Sequence, residues 1–146
     1  MKSGPARAVV FVGIVYVIAG IVFGALAGQA ASHQAVVAWR GAAWLVSAVA
    51  FGAHIVYDQV RLGSSPKRTA FRAASAAGLG AFGLAVAANI HAQTVSPPQH
   101  SPMLVLSLAL WPVLVALPAF VVALVAALLR ARTRRSIRGS QEEPRV

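Results

Sequence analysis

The feature that most constrains this chain is its division into four apolar blocks, each close to the roughly 20 residues that a bilayer-crossing helix needs. The sequence predicts transmembrane spans over residues 8–27, 35–57, 69–91 and 103–129. Hydrophobic residues make up 58% of the chain, which favours lipid rather than water as its solvent. Because the blocks use most of the 146 residues, we expect one all-α integral membrane domain, a four-transmembrane-helix bundle.

Basic residues predict how this bundle is oriented. If the chain crosses four times, 12 of its 13 Lys and Arg residues fall on one side, and Arg40 is the exception. The twelve precede the first span, surround the second link or follow the fourth span: Lys2, Arg7, Arg61, Lys67, Arg68, Arg72, Arg130, Arg132, Arg134, Arg135, Arg138 and Arg145. The positive-inside rule therefore predicts a multi-pass protein of the cell (inner or plasma) membrane, with the N-terminus (1–7) and the C-terminus both cytoplasmic.

The segment after the last span predicts a basic cytoplasmic tail over residues 130–146. Its polar, charged composition favours disorder, and its arginines favour contact with anionic lipid headgroups. The formal net charge of +10 could also indicate nucleic-acid binding. However, the cations sit in short segments beside apolar blocks and form no folded basic surface, so we expect no nucleic-acid partner.

A basic start, an apolar run and Ala25-Leu26-Ala27 raise the alternative of a cleavable leader peptide. The apolar run is near 20 residues, longer than the roughly 7–15 typical of a leader. We therefore expect the first span to be kept. Its cleavage would leave three spans.

Glycines recur at helix-packing spacing in three of the four spans. Such positions let a neighbouring helix backbone approach closely. The candidate packing residues are Gly13, Gly20, Gly24, Gly28, Gly41, Gly52, Gly80 and Gly83. Two interpretations stay open, namely packing between spans of one chain and a homodimer contact on the first span.

The fourth span contains Pro112 and Pro118. Each removes one backbone hydrogen bond and crowds the preceding turn, so the sequence predicts a kinked or locally unwound helix. The kink could act as a hinge, or it could be a shape that lipid tolerates.

Four polar residues, with two aromatic residues between them, line one face of the second span at steps of three and four residues. At about 100° per residue, the whole set falls within about 40° of one line on the helix. We call it the polar stripe, and it comprises Arg40, Trp44, Ser47, Phe51, His54 and Asp58. Ionisable side chains are costly in hydrocarbon, so this face should turn toward protein or water.

Two interpretations of the stripe stay open. In the functional one, His54 and Asp58, one turn apart, form a proton-handling or ligand site. In the structural one, Asp58 pairs with Arg61 or Lys67, His54 bonds a backbone carbonyl, and Arg40 extends outward to the headgroups.

Three further histidines, His33, His91 and His100, map to the opposite side of the membrane from the tail. They are weak candidates for a metal or haem site, because no two have ligand spacing within one helix. We therefore expect no cofactor.

Catalytic motifs are missing from the sequence, and only Asp58 is acidic outside residues 142 and 143. We expect a non-enzymatic protein. The favoured function is an accessory or assembly subunit that binds another membrane protein or itself. The alternative is a small transporter or channel-like oligomer that uses the polar stripe.

Overall fold

The computed structural model describes residues 4–94 and 102–141, and all four of its elements are α-helices. They are α1 (Gly4–Gly28), α2 (His33–Val60), α3 (Pro66–Thr94) and α4 (Pro102–Gln141). Each contains a stretch long and apolar enough to cross a membrane. The prediction of four apolar helices is confirmed, and each helix extends past the predicted span at both ends.

Local chemistry explains where α2 and α3 begin. Ser32 caps α2, because its hydroxyl oxygen accepts a hydrogen bond of 3.2 Å from the Ala35 N–H. Pro66 opens α3, at a position where its missing N–H would have no helical partner. Between the two helices, Gly63 takes a φ of +57°, which suits glycine in a tight turn.

The helices are arranged around α3, which packs against both α1 and α4 along much of its length. Consecutive helices run antiparallel, so α1 and α3 run parallel. Within the described residues the backbones of α1 and α4 do not lie next to each other, and α2 lies mainly against α1. We call the end formed by the start of α1, the turn at 61–65 and the last part of α4 the basic end.

The central position of α3 follows from its small side chains. Of its ten buried residues, nine are Ala or Gly and the other is Thr69. Short side chains allow α1 and α4 to approach the α3 backbone closely from two sides. Gly78, which the sequence reasoning did not single out, meets α4 at Ala116 and the Pro112 carbonyl.

The predicted packing glycines fall into two groups. Four lie in the α1–α3 contact, where an added Cβ would meet a side chain of the other helix: Gly13, Gly20, Gly80 and Gly83. The other four have nothing within 4 Å of an added Cβ: Gly24, Gly28, Gly41 and Gly52. Small residues thus join α1 to α3, whereas those at the end of α1 and on α2 remain uncovered.

The Gly80→Ala substitution is expected to destabilise the fold by about 1–3 kcal/mol, the usual effect of overpacking. An added Cβ at Gly80 would lie 2.6 Å from Tyr16 Cβ, an atom fixed close to the α1 backbone. Gly20→Ala should be milder, since its nearest atom is Cδ2 of Leu84, the end of a flexible side chain. The midpoint of thermal unfolding in detergent measures both effects.

Gly24→Ala is the matched control for this comparison, because open space surrounds that position. It should leave the unfolding midpoint unchanged or slightly raised, since a helix is more stable with alanine than with glycine in its interior. Equal effects of the substitutions at Gly80 and Gly24 would contradict the close α1–α3 contact.

Helix α4 is longer than a membrane span and continues through both prolines. Its 40 residues extend about 60 Å, against about 30 Å of hydrocarbon core. Pro112 and Pro118 have no N–H to donate to the carbonyls of Leu108 and Leu114, yet the helix is not interrupted there. Local unwinding is therefore not observed at either proline, and the kink stays a prediction.

The prediction of a disordered tail from residue 130 is wrong as far as Gln141, because α4 is helical to that residue. Leu, Ala and Arg are good helix formers, and residues 130–138 contain neither Gly nor Pro. Extending an existing helix also avoids the unfavourable nucleation step. Residues 142–146 lie outside the described part of the chain.

Candidate functional site

The polar stripe of α2 has two different surroundings along its length. All four buried residues of α2 lie in its last seven: His54, Ile55, Asp58 and Gln59. Arg40 and Trp44 are exposed, and 79% of the Trp44 surface is accessible to solvent. Ser47 and Phe51 lie between these extremes. The structure therefore buries the stripe at the basic end and leaves it open toward the start of α2.

Asp58 is the centre of a polar cluster between α2 and α3. Its Oδ1 accepts a 2.7 Å hydrogen bond from Arg72 Nη1, and its Oδ2 accepts one of 2.8 Å from Thr69 Oγ1. Arg72 Nη1 also donates to Ser64 Oγ at 2.8 Å. We call Asp58, Ser64, Thr69 and Arg72 the Asp58 cluster.

The Asp58 cluster contains the only ion pair among the side chains that the structure describes. The Asp58 side chain is 1% exposed, whereas that of Arg72 is 25% exposed and reaches the surface. A carboxylate this buried requires a cation and hydrogen-bond donors, which Arg72 and Thr69 supply. The cluster therefore fastens the end of α2 to the start of α3.

The turn at 61–65 explains why these residues meet. Because α2 and α3 are antiparallel, Asp58 and Thr69 lie at similar distances before and after Gly63. The Ser64 N–H donates to the Asp58 carbonyl at 3.3 Å, which closes the turn. Asp58 also lies beside the N-terminal turns of α3, where a negative charge is favourable.

The ion-pair partners expected from the sequence, Arg61 and Lys67, are exposed and do not bind Asp58. The sequence did not identify Thr69 and Arg72 as the partners of Asp58. Their three-residue spacing at the start of α3 places them on one helix face, and this signal could have identified them.

Three buried polar atoms near α2 lack a hydrogen-bond partner within the described residues. They are His54 Nε2, Gln59 Oε1 and the Tyr16 hydroxyl. His54 is 4% exposed and makes no hydrogen bond to Asp58, contrary to the paired arrangement considered from the sequence. Gln59 Nε2 donates to the Ala127 carbonyl of α4 at 3.2 Å. Buried polar atoms of this kind are positions where a water or a small polar ligand binds.

At the end opposite the basic end, Asn89 connects α3 to the start of α4. Its Nδ2 donates to the Leu104 carbonyl at 2.8 Å and lies 3.4 Å from Ser107 Oγ. This contact and the α3–α4 packing hold α4 along α3, whereas α2, within the described residues, contacts mainly α1 at that end.

The candidate metal ligands do not come together in the part of the chain that is described. His33 and His91 are exposed, and His100 lies outside the described residues. No three His, Cys, Asp or Glu side chains in the two described ranges form a group that could hold a metal ion.

We define the open half of α2 as residues 33–53, which include no buried residue. Arg40 has no ion pair or hydrogen bond within the described part of the chain. Large apolar side chains, among them Leu45 and Val49, are also exposed there. The main contact of this half is with α1, where Trp39 packs on Phe23 with ring centroids 6.1 Å apart.

Comparison with protein-family models, with curated proteins and with solved structures finds no match.

Proposed function

We propose that this chain is an accessory or assembly subunit of the cell membrane, with both termini cytoplasmic, that binds another membrane protein or a second copy of itself. The observation that carries the proposal is the contrast between two helices. Helix α3 is covered on both sides, while the open half of α2 has no buried residue over 21 positions and, unlike the equally exposed residues 102–122 of α4, belongs to a helix that does not pack along α3. A subunit of a larger complex leaves such a surface for its partner.

Uncovered small residues support this proposal. Gly41 has open space around an added Cβ, Ala48 on the same face is exposed, and Gly24 and Gly28 on α1 are open as well. In a bilayer, helices associate through close packing at small residues rather than through a hydrophobic driving force. These positions allow one more helix to approach α2 as closely as α1 approaches α3.

The one acidic residue of the helices supports a structural role for the polar cluster. Each oxygen of the buried Asp58 carboxylate accepts a hydrogen bond, one from Arg72 and one from Thr69, as in an ion pair that holds two helices together. The arginines from residue 130 onward supply a second contact, with anionic lipid headgroups at the cytoplasmic surface.

Extraction in mild detergent followed by purification tests the proposed function. We expect the chain to elute in a complex with a second membrane protein at fixed stoichiometry, or as a defined oligomer held by α1 and α2. Substituting Gly41→Leu should release the partner, while Phe71→Leu, at an exposed position of α3, should not. A monomer in every mild detergent and in native-lipid discs would contradict the proposal.

The alternative function, a small transporter or channel-like oligomer, is favoured by one observation. His54 Nε2 and Gln59 Oε1 are buried without partners close to the basic end, as polar groups along a path would be. The His54→Ala substitution separates the two functions. The accessory function predicts an intact complex with a modest loss of stability. The transport function predicts loss of ion or proton flux in vesicles with the assembly unchanged.

A further inference from the structure

One face of α2 changes from buried to exposed along the helix. His54 and Asp58 on this face are buried, and Asp58 binds Thr69 and Arg72 of α3. Arg40 and Trp44, on the same helical line, are exposed. The contacts of α2 with α4 involve the Ile55 and Gln59 region. The polar stripe is therefore covered at the basic end and exposed at the other.

Arg40 lies inside the membrane-crossing part of α2. It follows His33 by seven residues, about 10 Å along the helix axis. The 28-residue helix is about 42 Å long and exceeds the hydrocarbon core by about 12 Å. If α2 is centred in the bilayer, the Arg40 backbone lies about 4 Å inside the hydrocarbon. A cation there requires an anionic partner or a route to the headgroups.

We propose that the open half of α2 docks a transmembrane helix of a different protein, and that this helix carries an Asp or Glu carboxylate that pairs with Arg40. This inference rests on the proposed function and specifies the partner's chemistry. The guanidinium group offers a planar pair of donors that matches a carboxylate. Trp44, one turn further along, supplies a large apolar surface beside the charged pair, and Gly41 and Ala48 let the partner backbone approach.

A second copy of this chain does not fit this role. Two copies inserted in the same orientation would both hold Asp58 at the basic end, far from Arg40, and Asp58 is already bound by Arg72. The remaining acidic residues, Glu142 and Glu143, come after Gln141, the last residue of α4, in the sequence. The negative charge that pairs with Arg40 must therefore come from another chain or from a lipid phosphate.

A photo-reactive benzoylphenylalanine in place of Trp44 identifies what occupies this surface in native membranes. The expected product is a cross-link to a peptide from another membrane protein whose apolar span contains Asp or Glu. The same probe in place of Trp111, an exposed aromatic of α4, is the matched control and should not capture that peptide. Cross-links only to lipid, only to a second copy, or to a span without a carboxylate would overturn the inference.

Charge variants test the pairing itself. Arg40→Gln is expected to lower the yield of that cross-link at least about tenfold, since loss of one member of a buried charge pair weakens a complex by about 30-fold or more, while Arg40→Lys should retain much of it. Arg40→Glu should abolish it, and changing the partner's carboxylate to Arg should restore it. Arg61→Gln, in the exposed turn, controls for net charge. An unchanged yield with Arg40→Gln would overturn the pairing.

The outcomes separate this inference from the proposed function. If the chain co-purifies with a partner that cross-links at other positions but not at residue 44, the docking surface is wrong and the accessory function stands. If no complex forms in mild detergent and no protein cross-link forms at residue 44, both are wrong.

Discussion

The Arg72→Ala substitution is expected to destabilise the fold by about 3–5 kcal/mol, the effect of removing one member of a buried ion pair. Asp58 would keep only Thr69 as a side-chain donor, while its carboxylate is 1% exposed and cannot reach water. The start of α3 would separate from the end of α2. The expected result is a large fall in the midpoint of thermal unfolding, measured by circular dichroism in detergent.

Substituting Asp58 should be milder than substituting Arg72, because the two members of the pair differ in exposure. In Asp58→Asn the amide oxygen can still accept from Thr69, and Arg72, a quarter exposed, can turn toward water. The double variant Asp58→Asn with Arg72→Gln should recover part of the stability lost in Arg72→Ala, since no buried charge remains. The cycle formed by Asp58→Asn, Arg72→Gln and the double variant gives the coupling energy of the pair.

Arg61→Ala is the matched control for these changes. It removes a cation from the same end of the fold, but Arg61 is exposed and is not paired with Asp58. Its effect on the unfolding midpoint should be small. If Arg61→Ala and Arg72→Ala lower the midpoint equally, the Asp58 cluster does not hold α2 to α3.

The number of helices could be predicted from the sequence because their cause is local. A long apolar block has few alternatives to a helix once it is removed from water, since every backbone N–H and C=O must find a partner inside the segment. The end of α4 was harder to predict. Composition alone favours disorder after residue 130, but a helix already formed extends readily through Leu, Ala and Arg.

The packing could be predicted only in part. Glycine spacing identified Gly13 and Gly80 as packing positions. The same spacing also selected Gly41 and Gly52, where nothing lies within 4 Å of an added Cβ. Spacing records which residues permit close approach, not which helix approaches. The pairing of Asp58 with Arg72 likewise depends on the geometry of the turn around Gly63, which brings together residues 14 positions apart.

Reporter fusions are expected to show the two links at 29–32 and 95–101 on the opposite side of the membrane from both termini. The first and third links contain no Lys or Arg, while twelve cations fall on the other side. Basic residues in short loops are retained on the cytoplasmic side during insertion. A phosphatase fused after Gln29 or after Pro98 should be active outside the cytoplasm, and one fused after Val146 inactive. Cytoplasmic location of both link fusions would contradict the four-span topology.

Moving charge across α1 should then change its orientation. Replacing Lys2 and Arg7 by alanine and introducing Gln29→Arg and Gln34→Arg reverses the difference in basic residues between the two ends of α1. Since this difference sets orientation, a large fraction of the variant chains should carry the Gln29 reporter in the cytoplasm. The matched control adds two arginines at positions 142 and 143, on the side that is already basic, and should change nothing. If the α1 variant keeps the original orientation, the α2–α4 cations alone determine the topology.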